Sequence, residues 1–456
     1  MTAVDADTAR APLAAAQGGA VPVRTFTPSD LRFTFDETVE GFRHQYDRDF
    51  QLFVVWHKAR KHDDAILDII REDFDVLGEF EITWSDERII RNFERLYGDP
   101  LWGVSTKHED VGTGTFLLVI AEDPAPVYRY RRNVSGFVEL TNVHAANAKK
   151  AARALAGGYT VHSSNNIREF FRDAALLIGT ERLQEVLHPD TPRDGVVREE
   201  IRSDLVGDDG WTSLDELWAV LRLACEYVVL RNFEDIPGII ASDPEIDVLA
   251  REQRDFAAVV GARPRHGEVA GAAFATTVDG REVIFDIRWV GDGYMDALWQ
   301  NDVLKRRAWL DEKIAIPRID DHFFSLLYHA KLQKAQVKPA YVPRLQGLAR
   351  QLDLPEDLVA HVTDDDAAVR LLDGFLSGHG YSVPRAVDRA VYRNDALIAR
   401  LTRTAIQPTP YAAAKRELYV STRFSRTGER AANSRLLRGG YHLLRRIRNL
   451  LRPKRS

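Results

Sequence analysis

The spacing of apolar residues changes several times along the first third of the chain. The apolar run at 51–59 predicts a buried strand, and residues 63–74 carry apolar side chains at helical spacing. Further strands are predicted at 79–85 and 114–123, with a helix over 86–97 between them. Helices that alternate with strands in this way indicate a small α+β sandwich.

A second set of elements begins with the helical pattern of residues 213–230, for which Ser213 is a suitable N-cap. Residues 244–250 and 281–290 predict strands that define a second α/β core. Helical spacing dominates from residue 321 to residue 400 and predicts an appended helical bundle. The predicted fold class is therefore α/β (α+β), with two sheet-containing units.

A chain of 456 residues is long for one hydrophobic core, since a domain usually has roughly 100–200 residues. The predicted organisation is, in chain order, a disordered arm (1–24), a first α/β domain (25–180), a linker with peripheral helices (181–212), a second α/β domain (213–340), a helical extension (341–420) and a basic amphipathic tail (421–456).

Charge is distributed unevenly along the chain. The formal net charge is −6, yet the tail from Arg423 onward has eleven Arg or Lys and one acidic residue, so the rest carries about −16. No basic stripe runs through the predicted folded part, and we expect no nucleic-acid partner. The single cysteine, Cys225, excludes an internal disulfide and a cysteine-zinc site, and suits a reducing cytoplasm.

The tail itself predicts an interfacial helix. From Tyr441 to Leu451 apolar residues recur at helical spacing among arginines, a pattern typical of helices that lie on anionic lipid. A solvent-exposed basic tail or a docking helix for a partner protein would give a similar pattern. The first 24 residues lack the apolar core of a secretory signal, and no run of 18 apolar residues occurs. We therefore expect a cytoplasmic protein with peripheral attachment at the inner membrane face.

The first candidate site centres on His162. This residue ends a strand-like run and precedes the helical pattern of residues 167–178, where the first backbone N–H groups favour an anion. Asp173 follows eleven residues later and could fix the imidazole tautomer. These features suit a phosphate-accepting histidine, but a helix cap or a packed imidazole would have the same local sequence.

The stretch VHSSNNIREFFRDAALL (161–177) resembles the catalytic signature of nucleoside diphosphate kinases, in which H-G-S-D-S precedes a helix with an Arg–Glu pair. The resemblance spans about residues 51–179 and implies a ferredoxin-like domain. It makes His162 the phosphorylated histidine and Arg172–Asp173 the Arg–Glu pair, with Lys58 as the lysine after the first strand. The nucleotide-side and phosphate-side positions that it implies are Tyr97, Thr141, Asn142 and Arg153. Departures from the family pattern occur at Ala59, Tyr159 and Ser163.

The second candidate site consists of three acidic residues. Glu245 and Asp247 lie two apart on a predicted strand, so both side chains point to one face, and Asp286 lies on a later predicted strand. Three carboxylates on neighbouring strands suit Mg²⁺ bound together with triphosphate oxygens. The alternative is that the acids are solvated or paired with arginines such as Arg281 and Arg288.

Residues 215–335 resemble the polymerase-beta-type nucleotidyltransferases, in particular uncharacterised bacterial members of that superfamily. The shared features are a helix, a short turn, an acid-x-acid strand and a later strand acid. Arg231 and Asn232 stand where the family has a Gly-Ser pair, which implies that a guanidinium and an amide would hold the phosphate. Residues beside Asp286 either pack in the core or line an acceptor pocket; they are Asp292, Tyr294, Asp296 and Trp299.

These observations predict a Mg²⁺-dependent nucleotidyl- or phosphotransferase that acts on a nucleotide or a phosphorylated small molecule. If the tail lies on the inner membrane face, a cell-surface glycan precursor is a suitable acceptor. Two alternatives stay open at this point: phosphohistidine chemistry at His162 of the nucleoside diphosphate kinase kind, and a non-catalytic nucleotide-binding protein.

Overall fold

A computed structural model describes residues 48–97, 107–132, 138–188, 196–236, 238, 240, 245–265 and 273–402. The predicted arm and the predicted basic tail lie outside the described residues. Within them the protein is a mixed α/β fold with two five-stranded sheets and two short hairpins.

The inner strands of the first sheet have buried side chains on both faces. Its strands are, in chain order, β1 (Asp49–Val55), β2 (Asp75–Ile82), β3 (Phe116–Asp123), β6 (Val161–Ser163) and β7 (Arg198–Ile201). They lie in the order β6-β1-β3-β2-β7, with β1 antiparallel to β3 and β6. A hairpin of β4 (Tyr128–Arg132) and β5 (Val138–Asn142) is inserted between β3 and β6.

Helices cover both faces of this sheet, which explains why the sequence of β1 is almost continuously apolar. Phe53 and Val55 pack under α1 (Asp63–Arg71) and α4 (Val143–Ala156). Leu52 and Val54 on the opposite face belong to the larger core, to which α5 (Ile167–Ile178) contributes. The predictions of a strand at 51–59 and a helix at 63–74 are confirmed, except that the strand ends at Val55 and the helix at Arg71. The remaining helices of this part are α2 (Ile89–Tyr97), α3 (Lys107–Val111) and α6 (Thr180–Leu187).

The second sheet follows helix α7 (Leu214–Ala224). Its strands are β8 (Tyr227–Val229), β9 (Glu245–Ala250), β10 (Arg263–Pro264), β11 (Ala273–Val278) and β12 (Arg281–Trp289). They lie in the order β10-β11-β12-β9-β8, and β9 and β12 are parallel neighbours. After β9 the chain forms α8 (Gln253–Val259), which packs against β12.

The predicted helix over 213–230 is correct only in its first half. Ser213 caps α7 by accepting a hydrogen bond from the Glu216 N–H, as predicted, and the helix ends at Ala224. The apolar residues that follow, from Tyr227 to Val229, form strand β8 because they pair with β9 inside the core. An unbroken apolar run does not distinguish a buried helix from a buried strand.

Residues 181–212, which the sequence predicts as linker and peripheral helices, include an integral strand of the first sheet. Strand β7 pairs in parallel with β2, and Arg198 on β7 forms an ion pair with Glu79 at 2.9 Å. Further along, Trp211 is buried and donates its indole N–H to the Val260 carbonyl at 2.9 Å. This region therefore contacts both sheets.

One hydrophobic core extends across the two sheets, and α5 packs against α7. Arg95 at the end of α2 crosses the same boundary although its side chain is fully buried. Its guanidinium donates to the carbonyls of Val206, Ala258 and Val259 at distances of 2.8 to 3.1 Å. An arginine side chain therefore donates to three main-chain acceptors at the buried boundary between the two sheets.

Helices complete the described residues, as predicted for 321–335 and for the segments of 345–400. They are α9 (Ala297–Arg306), α10 (Ile319–Leu332), α11 (Tyr341–Gln351), α12 (Glu356–Ala360), α13 (Asp365–His379) and α14 (Asp395–Ile398). A hairpin of β13 (Ala308–Leu310) and β14 (Ile314–Ile316) precedes α10. Helix α10 is the centre of this group and contacts α11, α13 and α14. None of the helices in the described part of the chain has the length and apolar character that a bilayer crossing needs.

Candidate active site

Three carboxylates converge at one end of the parallel pair β9–β12. Asp247 lies directly opposite Asp286 in the register of the two strands, and Glu245 is the first residue of β9. One oxygen from each side chain can be chosen so that all three lie within 4.8 Å of one another. Ile246 and Val248, which alternate with the acids, are buried in the core. The sequence-predicted acidic residues are therefore brought together.

Two arginines face this acidic cluster. Arg231, which follows β8, donates to Asp247 Oδ1 at 2.5 Å, and Arg288 donates to Asp286 Oδ2 at 2.9 Å. Burial raises the pKa of Asp286, Arg288 opposes the rise, and the nearby Asp247 adds to it. Glu245 is exposed, so the cluster opens to solvent on its side. The acids therefore converge, and two of them, Asp247 and Asp286, are also paired with arginine.

The turn before the acidic strand uses an asparagine in place of a glycine. Asn232 has φ 61° and ψ 25°, in the left-handed region that asparagine tolerates better than most residues. Its side-chain carbonyl accepts a hydrogen bond from Arg344 on α11. Arg231 and Asn232 thus form a tight turn next to Asp247, at the position predicted for phosphate binding.

Tyr294 connects the two arginines of the cluster. Its hydroxyl lies 3.3 Å from the Arg231 guanidinium and 2.7 Å from His329 Nδ1 on α10. The Arg288 guanidinium lies over its ring, 4.6 Å from the centroid. Burial raises the pKa of Tyr294 to about 12, so the phenol stays protonated at neutral pH. The sequence predicts Tyr294 as a core or pocket residue, and no local pattern predicts its contact with His329.

The other three residues predicted beside Asp286 hold structure together. Asp292 accepts from the Tyr294 N–H, and Asp296 caps α9 by accepting from the Leu298 N–H. Trp299 is fully buried and donates to Asp321 at 2.9 Å. These contacts favour the packing interpretation for all three.

His162 forms a second cluster with two acids of helix α5. Its Nε2 lies 3.5 Å from Asp173 Oδ2 and 3.8 Å from Glu169 Oε1. Asn166 positions the helix by capping it, since its side chain accepts from the Glu169 N–H at 3.1 Å. The predicted pair of His162 and Asp173 is close in space, and the sequence analysis missed Glu169, which lies one helical turn before Asp173 on the same face.

Burial controls the charge states of this second cluster. It lowers the pKa of His162 to about 3; Glu169 opposes that change, and the cations of Lys149 and Arg153 add to it. Burial also raises the pKa of Asp173 to about 7, although Arg172 contacts this carboxylate at 2.6 Å and acts in the opposite direction. The imidazole is therefore neutral at physiological pH.

The remaining predicted residues of the first site divide into two groups. Tyr97 meets the His162 ring edge-on at 5.4 Å between centroids, and Arg153 donates to the Val161 carbonyl at 2.6 Å, so both lie beside His162. Lys58 is exposed, and its ammonium donates to a surface carbonyl, that of Glu109; within the described residues it is not among the side chains that contact His162.

Thr141 and Asn142 are buried at the end of β5. Asn142 caps α4 by accepting from the Ala145 N–H and donates to Asp123 at 2.8 Å. Its own N–H donates to the Asn165 carbonyl, which ties the start of α4 to the loop after His162. Asn142 therefore stabilises the start of α4 next to the predicted phosphate site.

The low pKa of His162 leads to a prediction for acid stability. An unfolded histidine titrates near 6.5, so between pH 6.5 and 3 the unfolded chain binds more protons at this position and stability falls as pH falls. His162→Gln removes this proton uptake. The free energy of unfolding of the wild type minus that of the variant should therefore fall by about 2 kcal/mol between pH 7.5 and 5. Guanidinium unfolding of both proteins at the two pH values measures the effect. A pH-independent difference would show that the imidazole is solvated.

Comparison of the chain with protein-family models, with curated proteins and with solved structures found no match of any of the three kinds.

Proposed function

We propose that the protein is a Mg²⁺-dependent nucleotidyl- or phosphotransferase whose metal ligands are Glu245, Asp247 and Asp286. The observation that carries the proposal is the convergence of three carboxylates, from two parallel strands, to within 4.8 Å of one another. Mg²⁺ prefers oxygen ligands, and the three carboxylates supply them at the end of adjacent strands.

The charges around the cluster fit this ion. Glu245, Asp247 and Asp286, with Asp388 on Arg288, carry a formal charge of about −2 together with Arg231 and Arg288. A divalent ion would neutralise this charge while both guanidinium groups stay beside it. Such a surface attracts the oxygens of a polyphosphate. When bound, Mg²⁺ would stabilise negative charge on those oxygens.

The residues of the chain itself would bind and orient the phosphate groups. Arg231 and Arg288 can exchange their carboxylate partners for phosphate oxygens, because a guanidinium binds either group in the same planar geometry. Tyr294 contacts both arginines and would keep them in position during that exchange. Its contact with His329 in turn fixes the phenol.

The order of the strands supports the identities that we propose for the units around the two sheets. Strands β1, β2, β3 and β6, with α1 and α4, follow the order βαββαβ, which is the ferredoxin-like arrangement proposed here for a nucleoside-diphosphate-kinase-like domain at 25–180. The second sheet, with its acidic parallel pair, would be the nucleotidyltransferase-like domain at 213–340.

A second activity, phosphohistidine formation at His162, is favoured by a specific observation. A nucleophilic imidazole must be neutral, and burial lowers the pKa of His162 to about 3. Three cationic side chains near this ring lower its pKa, those of Lys107, Lys149 and Arg153, and they would attract a phosphate. Since Nε2 faces Asp173, the phosphate would be accepted by Nδ1.

The acceptor that we propose is a cell-surface glycan precursor at the inner membrane face, reached by a cytoplasmic protein whose basic tail binds anionic lipid. This part of the proposal rests on the sequence of the tail.

Labelled nucleotides separate the two activities. Each ribonucleoside triphosphate, labelled at the α- or the γ-phosphate, is incubated with the protein, Mg²⁺ and a small-molecule and lipid extract of the source cells. Activity at the acidic cluster transfers α-label to the extract and releases pyrophosphate, or transfers γ-label to it. Phosphohistidine formation places acid-labile γ-label on the protein, and His162→Gln removes it. If no label moves with any nucleotide, both proposed activities are wrong.

A further inference from the structure

A cavity of about 570 Å³ lies between helix α10 and the segment that precedes α14. One side is formed by Tyr328 and Leu332 of α10 and by Gln333, which follows the helix, and residues 383–393 form much of the other. Its volume falls in the range of small-molecule sites, roughly 300–1,000 Å³. No part of the proposed metal cluster lines it, so it is a separate binding space.

The cavity shares a wall with the acidic cluster. Tyr294 lines the cavity and contacts both Arg231 and Arg288, the partners of Asp247 and Asp286. Asp388 also lines the cavity, and its carboxylate accepts from Arg288 at 3.1 Å. A molecule in the cavity would therefore be separated from the carboxylates by one layer of side chains.

The wall formed by residues 383–393 carries an excess of positive charge. Asp388 shares the Arg288 guanidinium with Asp286, and Arg393 is held by Asp395 and by the Pro384 carbonyl at 2.7 and 2.8 Å. Arg385 and Arg389 remain, and both are exposed. Across the described residues neither of them has an ion-pair partner, so both guanidinium groups are available to a ligand.

The wall is also held closely against the loop that follows β12. Gly293 has φ +76°, and a Cβ atom at this position would lie 2.2 Å from the Arg385 carbonyl oxygen. The Val387 N–H donates to the Asp292 carbonyl at 2.7 Å. The arginine-bearing segment thus has a fixed position relative to Tyr294, as a binding site requires.

We propose that this cavity binds a phosphorylated small molecule, with its phosphate group at Arg385 and Arg389 and its polar body against Gln333 and Tyr328. A guanidinium pair is the side-chain arrangement best suited to a phosphate monoester. The identification of this molecule as the second substrate of the transferase rests on the proposed function, whereas its binding does not.

Isothermal titration of the full chain tests the site with three probes: inorganic phosphate, glycerol 3-phosphate and glucose 6-phosphate, with glucose as the uncharged counterpart. We expect saturable binding of at least one phosphate probe and none of glucose. The double variant Arg385→Gln/Arg389→Gln should weaken that binding at least tenfold. The matched control is Arg350→Gln/Arg370→Gln, which removes two exposed arginines elsewhere on the helical part and should leave the affinity unchanged.

Two results would overturn the assignment: no saturable binding of any phosphate probe, or equal affinity in the cavity variant and the wild type. Because Asp247 does not line the cavity, Asp247→Asn should retain phosphate binding even if it loses transfer activity. Failure of the metal proposal and failure of this one are therefore distinguishable. A Gly293→Ala variant, which displaces the wall without changing any charge, should also weaken phosphate binding.

Discussion

Asp247→Asn is expected to abolish metal-dependent transfer while the protein stays folded. Asparagine preserves the volume of the side chain and still accepts a hydrogen bond from Arg231, but it removes a charged ligand from the centre of the cluster. Loss of such a ligand should lower the rate on the order of 10³-fold, which corresponds to about 4 kcal/mol of transition-state stabilisation. The initial rate of label transfer at saturating Mg²⁺ is the measurement.

The matched control for this variant is Glu282→Gln, on the same strand as Asp286. Glu282 is exposed and lies 3.6 Å from Arg265, so its substitution removes one negative charge from β12 without touching the cluster. We expect it to retain the wild-type rate. Retained activity in Asp247→Asn, with a circular dichroism spectrum like that of the wild type, would show that the chemistry takes place elsewhere.

Arg95→Met is expected to be the most destabilising of the substitutions considered. The side chain is completely buried and its guanidinium satisfies three main-chain carbonyls at the boundary between the two sheets. Methionine fills a similar space but removes the Arg95 donors from the Val206 and Val259 carbonyls, and it removes one of the arginines that face the buried carboxylate of Asp208, at 3.7 Å. Removing one partner of a buried charged network costs about 3–5 kcal/mol.

Arg182→Met is the control for Arg95. Arg182 lies on α6, and its side chain is 39% exposed where it pairs with Glu199, whose side chain is 45% exposed. An exposed pair of this kind is worth about 0–1 kcal/mol. Urea unfolding should therefore separate the two variants clearly. Similar losses in both would mean that Arg95 does not hold the two sheets together.

The sequence predicted best where a feature depends on local periodicity. The acids at 245 and 247 share a face because side chains alternate along a strand, and the parallel pairing of β9 with β12 then places Asp286 beside them. His162 and Asp173 are close for a similar reason: one lies in a short strand, and the other lies on the buried face of the helix that follows.

Features that depend on long-range contacts were beyond the sequence. Tyr294 contacts both Arg231 and His329, and these three residues come from separate segments of the chain. The ion pair between Arg288 and Asp388 likewise joins residues that are 100 positions apart, so only the tertiary fold brings them together. The pairing of the acids with arginines was considered from sequence, but the identity of Arg231 as a partner was not.

The errors in secondary structure have a common physical cause. The run from Tyr227 to Val229 is buried on all sides, so its apolar residues show no periodicity that could separate strand from helix. Strand β7 is short and highly charged, and only its pairing with β2 makes it part of a sheet. In both cases tertiary pairing decides the local structure.

If Glu245, Asp247 and Asp286 bind one divalent ion, Mn²⁺ should occupy the same position, because it binds the same oxygen ligands as Mg²⁺. Anomalous diffraction from crystals soaked in Mn²⁺ locates this ion. We expect one strong anomalous peak with oxygens of all three carboxylates as ligands, and no peak in Asp247→Asn crystals. Crystals in which Arg231 and Arg288 keep their carboxylate partners, with no peak between the acids at millimolar Mn²⁺, would contradict the metal assignment.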